Sequence, residues 1–147
     1  MMQYEDRLSK LIGAITRVLF YTPRNKFRIA AIDAQIMPAV RLLQADIFCN
    51  EYGVPVAYAI WAFVSDEVVA ELQAGSERIL HLSEWNDGLN LWLMDIAAPF
   101  GHAFPFLRKL RKEKLSAFNN IKALKNKKNG NGTRLVNLNI RPIKDCK

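Results

Sequence analysis

Within the stretch LNLWLMDIAAPFG (89–101), one carboxylate stands among apolar neighbours. Leu91, Trp92, Leu93 and Met94 precede Asp95, and Ile96, Ala97 and Ala98 follow it. Desolvating a carboxylate costs several kcal/mol unless something satisfies it. Asp95 is therefore either a structural carboxylate, capping a strand end or paired with an arginine, or a group held for proton transfer. The other side chains capable of chemistry are few. His81 and His102 read as surface or hydrogen-bonded structural residues, and Cys49 falls within a strand with nothing to place a histidine beside it. The chain carries no GxSxG, GxxxxGK[ST], HExxH or GxGxxG.

The elements that must position Asp95 follow from periodicity and punctuation. Leu8, Leu11, Ile12, Ile15, Val18 and Leu19 recur at helical spacing, predicting an amphipathic helix over 5–20 that ends before Pro23. A second helical stretch, RIAAIDAQIMPAVRLLQ (28–44), is kinked or interrupted at Pro38. ADIFCNE (45–51) and VPVAYAIWAFV (54–64) read as an antiparallel hairpin around Gly53. Ser65 is placed to cap a short helix, DEVVAELQAG, that ends at Gly75. After an irregular segment around SEWNDG, the stretch holding Asp95 forms a third strand. AFPFLRKLRKEKL (103–115) is a basic helix with Phe104, Leu107, Leu110 and Lys114 on one face. The tail, residues 118–143, gives two short strands around an Asn/Gly/Lys turn at 126–132. This order is α+β, with a central, mostly antiparallel sheet flanked by helices.

At 147 residues and 50% hydrophobic composition, the chain reads as a single domain (1–147). Mean hydropathy is −0.04, and no apolar run approaches the roughly 18 residues of a membrane span. The N-terminus, acidic early and amphipathic, lacks the pattern of a secretory signal. Two unrelated cysteines, Cys49 and Cys146, argue against a metal site or disulfide framework and favour the reducing cytoplasm. Charge is unevenly placed: residues 1–107 hold 8 Lys+Arg and 12 Asp+Glu, and residues 108–147 hold 13 and 2. The basic end calls for an anionic partner or is simply a solvated surface. Nucleic acid is disfavoured, because the basic run lacks interleaved aromatics and matches no nucleic-acid motif.

PVAYAIWAFVSDE (55–67) followed by EWNDGLNLWLMDIAAPFG (84–101) resembles the toxin-activating lysine-acyltransferases, the cytoplasmic activators of RTX haemolysins. Thr22-Pro23, IMPAV (36–40) and the LRKLRK helix (107–112) fit as well, so the resemblance runs from about residue 15 to 140. It implies a GCN5-related N-acyltransferase-like fold and transfer of a fatty acyl group from acyl carrier protein to internal lysines of a protoxin or peptide. It implies no bound cofactor, with the acylated carrier as donor, and leans towards a homodimer. Asp95 occupies the family's aspartate position. A lysine amine with pKa about 10.4 is almost wholly protonated at neutral pH, so attack on a thioester needs a base or proton path, and a carboxylate in apolar surroundings can supply one. Acyl carrier protein is acidic, which gives Arg108, Lys109, Arg111 and Lys112 a docking role. Trp61, Phe63, Trp92 and Phe100 are candidates for an apolar groove or for core packing.

The pattern departs from the family at one place. The family's catalytic histidine follows a Ser-Pro pair, which here is Thr22-Pro23. Counting back from Pro38 puts Arg24 at that position, and counting from Pro23 puts Asn25 there. Neither titrates as a base at pH 7. A family asparagine before MPA is Gln35 here. Three outcomes follow. Asp95 acts as the base, with Arg24 or Asn25 holding the acyl carbonyl; or His102 supplies the imidazole; or the chain is a divergent, catalytically weak member that binds carrier or substrate.

Overall fold

The computed structural model describes residues 3–116, 122–126 and 133–137. Three helices come first: α1 (Tyr4–Leu19), α2 (Ile29–Gln35) and α3 (Met37–Arg41). The hairpin β1 (Ala45–Cys49) and β2 (Pro55–Val64) leads to α4 (Asp66–Gln73) and a single 3-10 turn (Leu82–Trp85). Then follow β3 (Asn90–Ala97), α5 (Ala103–Glu113), β4 (Lys122–Asn126) and β5 (Thr133–Asn137). The five strands lie in the order β1-β2-β3-β4-β5. All neighbours are antiparallel except β3 and β4, which pair in parallel through Trp92–Lys122 and Leu93–Ala123. This is the α+β architecture with a mostly antiparallel sheet, consistent with the acyltransferase-like fold implied by the resemblance. Of the tail turn expected at 126–132, Asn126 ends β4, and residues 127–132, like Cys146, lie outside the described residues.

Local chemistry accounts for most boundaries. The long helical stretch divides at Ile36 (φ −113°), with Pro38 in the first turn of α3. Proline has no N–H for the carbonyl of Ala34, and its ring crowds that carbonyl. The Ser65 hydroxyl caps α4 by accepting from the Val68 N–H at 3.3 Å, satisfying one of the free first-turn donors. At its other end Gly75 (φ 84°) donates to the Leu72 carbonyl while Ser76 donates to Glu71, a left-handed closure that glycine adopts without a Cβ clash.

Helices α1 to α4 cover one face of the sheet. Ile15, Val18, Ile36, Val40 and Leu72 pack there on Tyr58, Ile60, Ala62 and Trp92. Helix α5 covers the other face, setting Phe106, Leu107 and Leu110 against Ala57, Ala59, Trp61, Leu91 and Leu93. With both faces covered, β2 is buried almost throughout, and each fully buried large apolar side chain contributes about 1.5–3 kcal/mol. The expected inward face of α5 needs correction. Phe106 is fully buried, whereas Phe104 is 76% exposed. At 3.6 residues per turn Phe106, Leu107 and Leu110 share one sector, and Phe104 lies about 110° from its centre.

Candidate active site

The sheet carries an irregularity where the carboxylate sits. Ile60 pairs with Asp95, but the next residue, Trp61, pairs with Leu93, so Met94 is an extra residue in β3. In a regular strand alternate residues face opposite ways, and Trp92 already faces α1. Asp95 would then share the α5 face with Leu91 and Leu93. The bulge resets the alternation. Met94 packs into the α1-side cluster, and Asp95 also reaches partners on that side, one strand across and one loop away.

Those partners are Tyr58 and Arg24. The Tyr58 hydroxyl donates to Asp95 Oδ2 at 2.5 Å, and the Arg24 guanidinium donates to the same oxygen in a close ion pair. Oδ1 has no protein partner among the described residues. Arg24 is presented by the turn after α1. The Thr22 hydroxyl donates to the Leu19 carbonyl at 2.8 Å and accepts from the Arg24 N–H at 3.1 Å. The guanidinium also lies over the rings of Phe27 and Tyr58, at 5.8 and 6.0 Å from their centroids. Burial works to lower the Arg24 pKa, but the hydrogen bond and charge of Asp95 outweigh it and raise the pKa above its ordinary value. Burial, reinforced by the Asp95 charge, pushes the Tyr58 phenol well above its usual range. Arg24 is thus a fixed cation and Tyr58 a fixed donor at neutral pH. Asp95 is the one member of the trio with proton-accepting capacity.

Arg24 and Asp95 open into a cleft of about 220 Å³, with Tyr58 buried behind them. Arg24, Asp95, Met94 and Ile60 line it on the sheet side; Phe27, Ala34, Gln35 and Ile36 line it from the α2 side. Glu77, Arg78, Ile79, Leu80 and Trp85 close it opposite. The break at Ile36 brings Gln35 to this wall. Arg78 anchors the far rim, gripping Glu84 through two bonds of 2.9 and 2.7 Å and Glu71 through Nε at 2.5 Å. The Glu84 carboxyl, hydrogen-bonded by Arg78 and by the His81 N–H, is lowered to about 2. Behind it the Asp87 and Gly88 N–H groups donate to the Phe63 carbonyl at 2.9 and 3.1 Å, docking the turn on the end of β2. A Cβ on Gly88 would stand 2.1 Å from the Val64 carbonyl oxygen, so the glycine of SEWNDG is required by close backbone approach.

The model of the RTX toxin acyltransferase family matches residues 5–139. The chain belongs to the RTX toxin acyltransferase family. It is 30% identical over 107 residues to the lysine-acyltransferase RtxC of Vibrio cholerae serotype O1, covering 72% of this chain and 69% of that protein. It is also 30% identical over 105 residues to the uncharacterized protein sll0720 of Synechocystis, covering 69% of this chain and 70% of that one. The leukotoxin-activating lysine-acyltransferase LtxC of Aggregatibacter actinomycetemcomitans is 24% identical over 104 residues, with 70% and 61% covered. Family membership makes the chain an acyltransferase, as the resemblance implied.

Against this acyltransferase frame, the expected site residues separate. Of the two positions that could replace the family histidine, Arg24 meets Asp95, while Asn25 is exposed and does not line the cleft. His102 is not brought to Asp95. Its ring packs 5.9 Å from Phe48 on the α5 side, with Nδ1 buried and unpartnered among the described residues. Trp92 and Trp61 are 2% and 4% exposed; they sit in the two cores on opposite sheet faces and do not line the cleft. Phe63 is partly buried on the α5 side. Phe100 is half exposed and packs at a tilt against Tyr21, ring centroids 5.1 Å apart, three residues before Arg24. On α5, Arg108, Lys109 and Lys112 are exposed, and Lys109 Nζ lies 5.7 Å over the Phe48 ring. Arg111 is half-buried. This basic helix lies across the sheet from Asp95. Tyr58 is the partner of Asp95 that sequence reading missed. Its signal was the PVAY motif, where a tyrosine at an inward strand position needs a partner for its hydroxyl. Among the described residues, no helix is long and apolar enough to cross a membrane.

Proposed function

We propose that this chain transfers a fatty acyl group from acyl carrier protein to the ε-amine of an internal lysine in a protein substrate, an RTX-type protoxin or a peptide. The observation that carries the proposal is the asymmetric grip on Asp95, a residue of the cleft wall: Arg24 and Tyr58 hold Oδ2, and among the described residues Oδ1 has no protein partner. The acceptor arrives largely as an ammonium and gives up one proton to water, since only the neutral amine has a lone pair with which to attack. Oδ1 accepts a proton as the amine attacks the thioester carbonyl. The C–N bond forms, the C–S bond breaks, and the carrier thiolate takes up the proton as it leaves. Arg24 supplies fixed positive charge beside the developing negative charge, in place of a histidine that would have titrated. The exposed Tyr21–Phe100 pair gives the acyl chain an apolar contact next to the loop bearing Arg24. The exposed cations of α5 offer an acidic carrier protein a surface distinct from the cleft, and an acylated prosthetic arm would have to span the sheet edge. In this reading the chain acts as a homodimer, as the family resemblance implies.

The test combines purified protein, acylated carrier and a co-encoded lysine-bearing substrate, read by mass spectrometry. The expected result is a fatty-acyl mass shift on lysine that disappears in Asp95→Asn. Transfer unaffected by that substitution refutes Asp95 as proton acceptor. The Arg24–Asp95 ion pair also favours a second reading, since an arginine at the histidine position neutralises the carboxylate: a member that binds carrier or substrate without turnover. Carrier binding with no mass shift, regained in Arg24→His, selects that reading.

A further inference from the structure

The cleft has four charged lining residues: Arg24, Glu77, Arg78 and Asp95. Three are neutralised within the protein. Arg24 pairs with Asp95, and Arg78 is shared by Glu71 and Glu84. Glu77 alone has no ion partner among the described residues. Its neighbour Arg78 is held by three side-chain bonds, which anchors the segment that carries Glu77 to the rim. Glu71 and Glu84 share the one guanidinium of Arg78, and with Glu77 beside them the rim is net negative. Lys26 and Arg28 flank Phe27 in sequence, but neither lines the cleft. Between Glu77 and Asp95 the walls are largely apolar: Phe27, Ile36, Ile60, Ile79, Leu80 and Met94.

Among the described residues, a carboxylate without an ion partner at the exposed end, apolar walls, and the second oxygen of the Arg24-paired Asp95 at the other end match one kind of side chain: an aliphatic stem ending in an amine. We infer that this cleft is the channel for the acceptor lysine and that Glu77 is its entrance carboxylate, attracting the ammonium and setting preference for a lysine in basic surroundings. The inference rests on the lysine-transfer reading above. The positive surface of α5 lies on the opposite face of the sheet, so acceptor and donor are recognised by surfaces of opposite sign. An acidic carrier is repelled from the acceptor mouth, and a basic acceptor is repelled from the carrier surface.

Steady-state transfer to a lysine peptide, at saturating acylated carrier, tests the role. Glu77→Gln raises the acceptor KM about three- to fivefold, in the range of an exposed ion pair, with kcat and the donor KM unchanged. Glu77→Asp recovers most of the loss. Raising salt from 50 to 500 mM raises the acceptor KM of the natural protein, because exposed charges are screened, and barely moves that of Glu77→Gln. A binding readout needs no turnover: n-butylammonium perturbs the NMR resonances of Phe27 and Ile79, butyrate does not, and Glu77→Gln raises the amine concentration needed by the same three- to fivefold. An unchanged acceptor KM in Glu77→Gln, a loss confined to kcat, or perturbation by butyrate equal to that by butylammonium overturns the inference. If no acceptor is ever acylated, the transfer reading fails, and the amine titration still decides Glu77 on its own.

Discussion

Replacing Tyr58 by phenylalanine isolates one hydroxyl. The ring is fully buried, so its packing on Ile60 and the α1 side survives, and the change removes a single donor from Asp95 Oδ2. A hydrogen bond to an ionised acceptor contributes about 1.5–3 kcal/mol. The Asp95 side chain is 20% exposed, so water recovers part of the loss, and the expected destabilisation is about 1–2 kcal/mol. For a chain of this size that lowers Tm by about 2–8 °C. If Tyr58 also holds Oδ1 in its reacting orientation, the same free energy is lost at the transition state, and kcat falls about 5- to 30-fold. The assay is a double-mutant cycle of Tyr58→Phe with Asp95→Ala, followed by urea denaturation, with transfer rates for the Tyr58 variant alone. A coupling free energy of about 1 kcal/mol or more is expected, because the two side chains act as a unit. Single effects that add within about 0.3 kcal/mol, or a kcat unchanged in Tyr58→Phe, refute the reasoning.

The remaining predictions concern the elements around the cleft. Gly88→Ala places a methyl group 2.1 Å from backbone oxygen; no side-chain rotation relieves it, and a loss of about 3 kcal/mol in urea unfolding is expected. Ser65→Ala removes the cap on the Val68 N–H and costs about 1 kcal/mol by the same measurement. The Glu84 carboxyl titrates at about 2 in the folded chain instead of 4.5. Its contribution is therefore complete above pH 4.5 and fades as the pH falls towards 2. The stability difference between the natural protein and Glu84→Gln should narrow over that window in denaturation series.

Much of the scaffold was legible because its signals are local. The division of the second helical stretch follows from a missing N–H at Pro38, the start of α4 from the Ser65 hydroxyl, and its end from Gly75. The inward face of α5 was legible only in part. A hydrophobic stripe containing both Phe104 and Phe106 admits two faces, and the stacking of Phe106 on Phe48 at 5.6 Å selects one. The aromatics proposed for an apolar groove show the same limit, since composition does not tell a groove from a core. Trp61 and Trp92 became core residues because both sheet faces are covered by helices.

For Asp95, the chain by itself determined that a carboxylate would lie in an apolar strand beside motifs of one acyltransferase family, and that no histidine would follow Thr22-Pro23. Tertiary structure decided the rest. Arg24 lies 71 residues from Asp95 and Tyr58 lies 37 residues away, so no local pattern joins them. Whether Asp95 faces α1 or α5 depends on one extra residue in the pairing of β3 with β2. Strand periodicity is exactly two, so a slip of one residue moves a side chain through the sheet. Only the packed sheet shows that slip, and it is what gives the carboxylate its cleft, its arginine and its tyrosine.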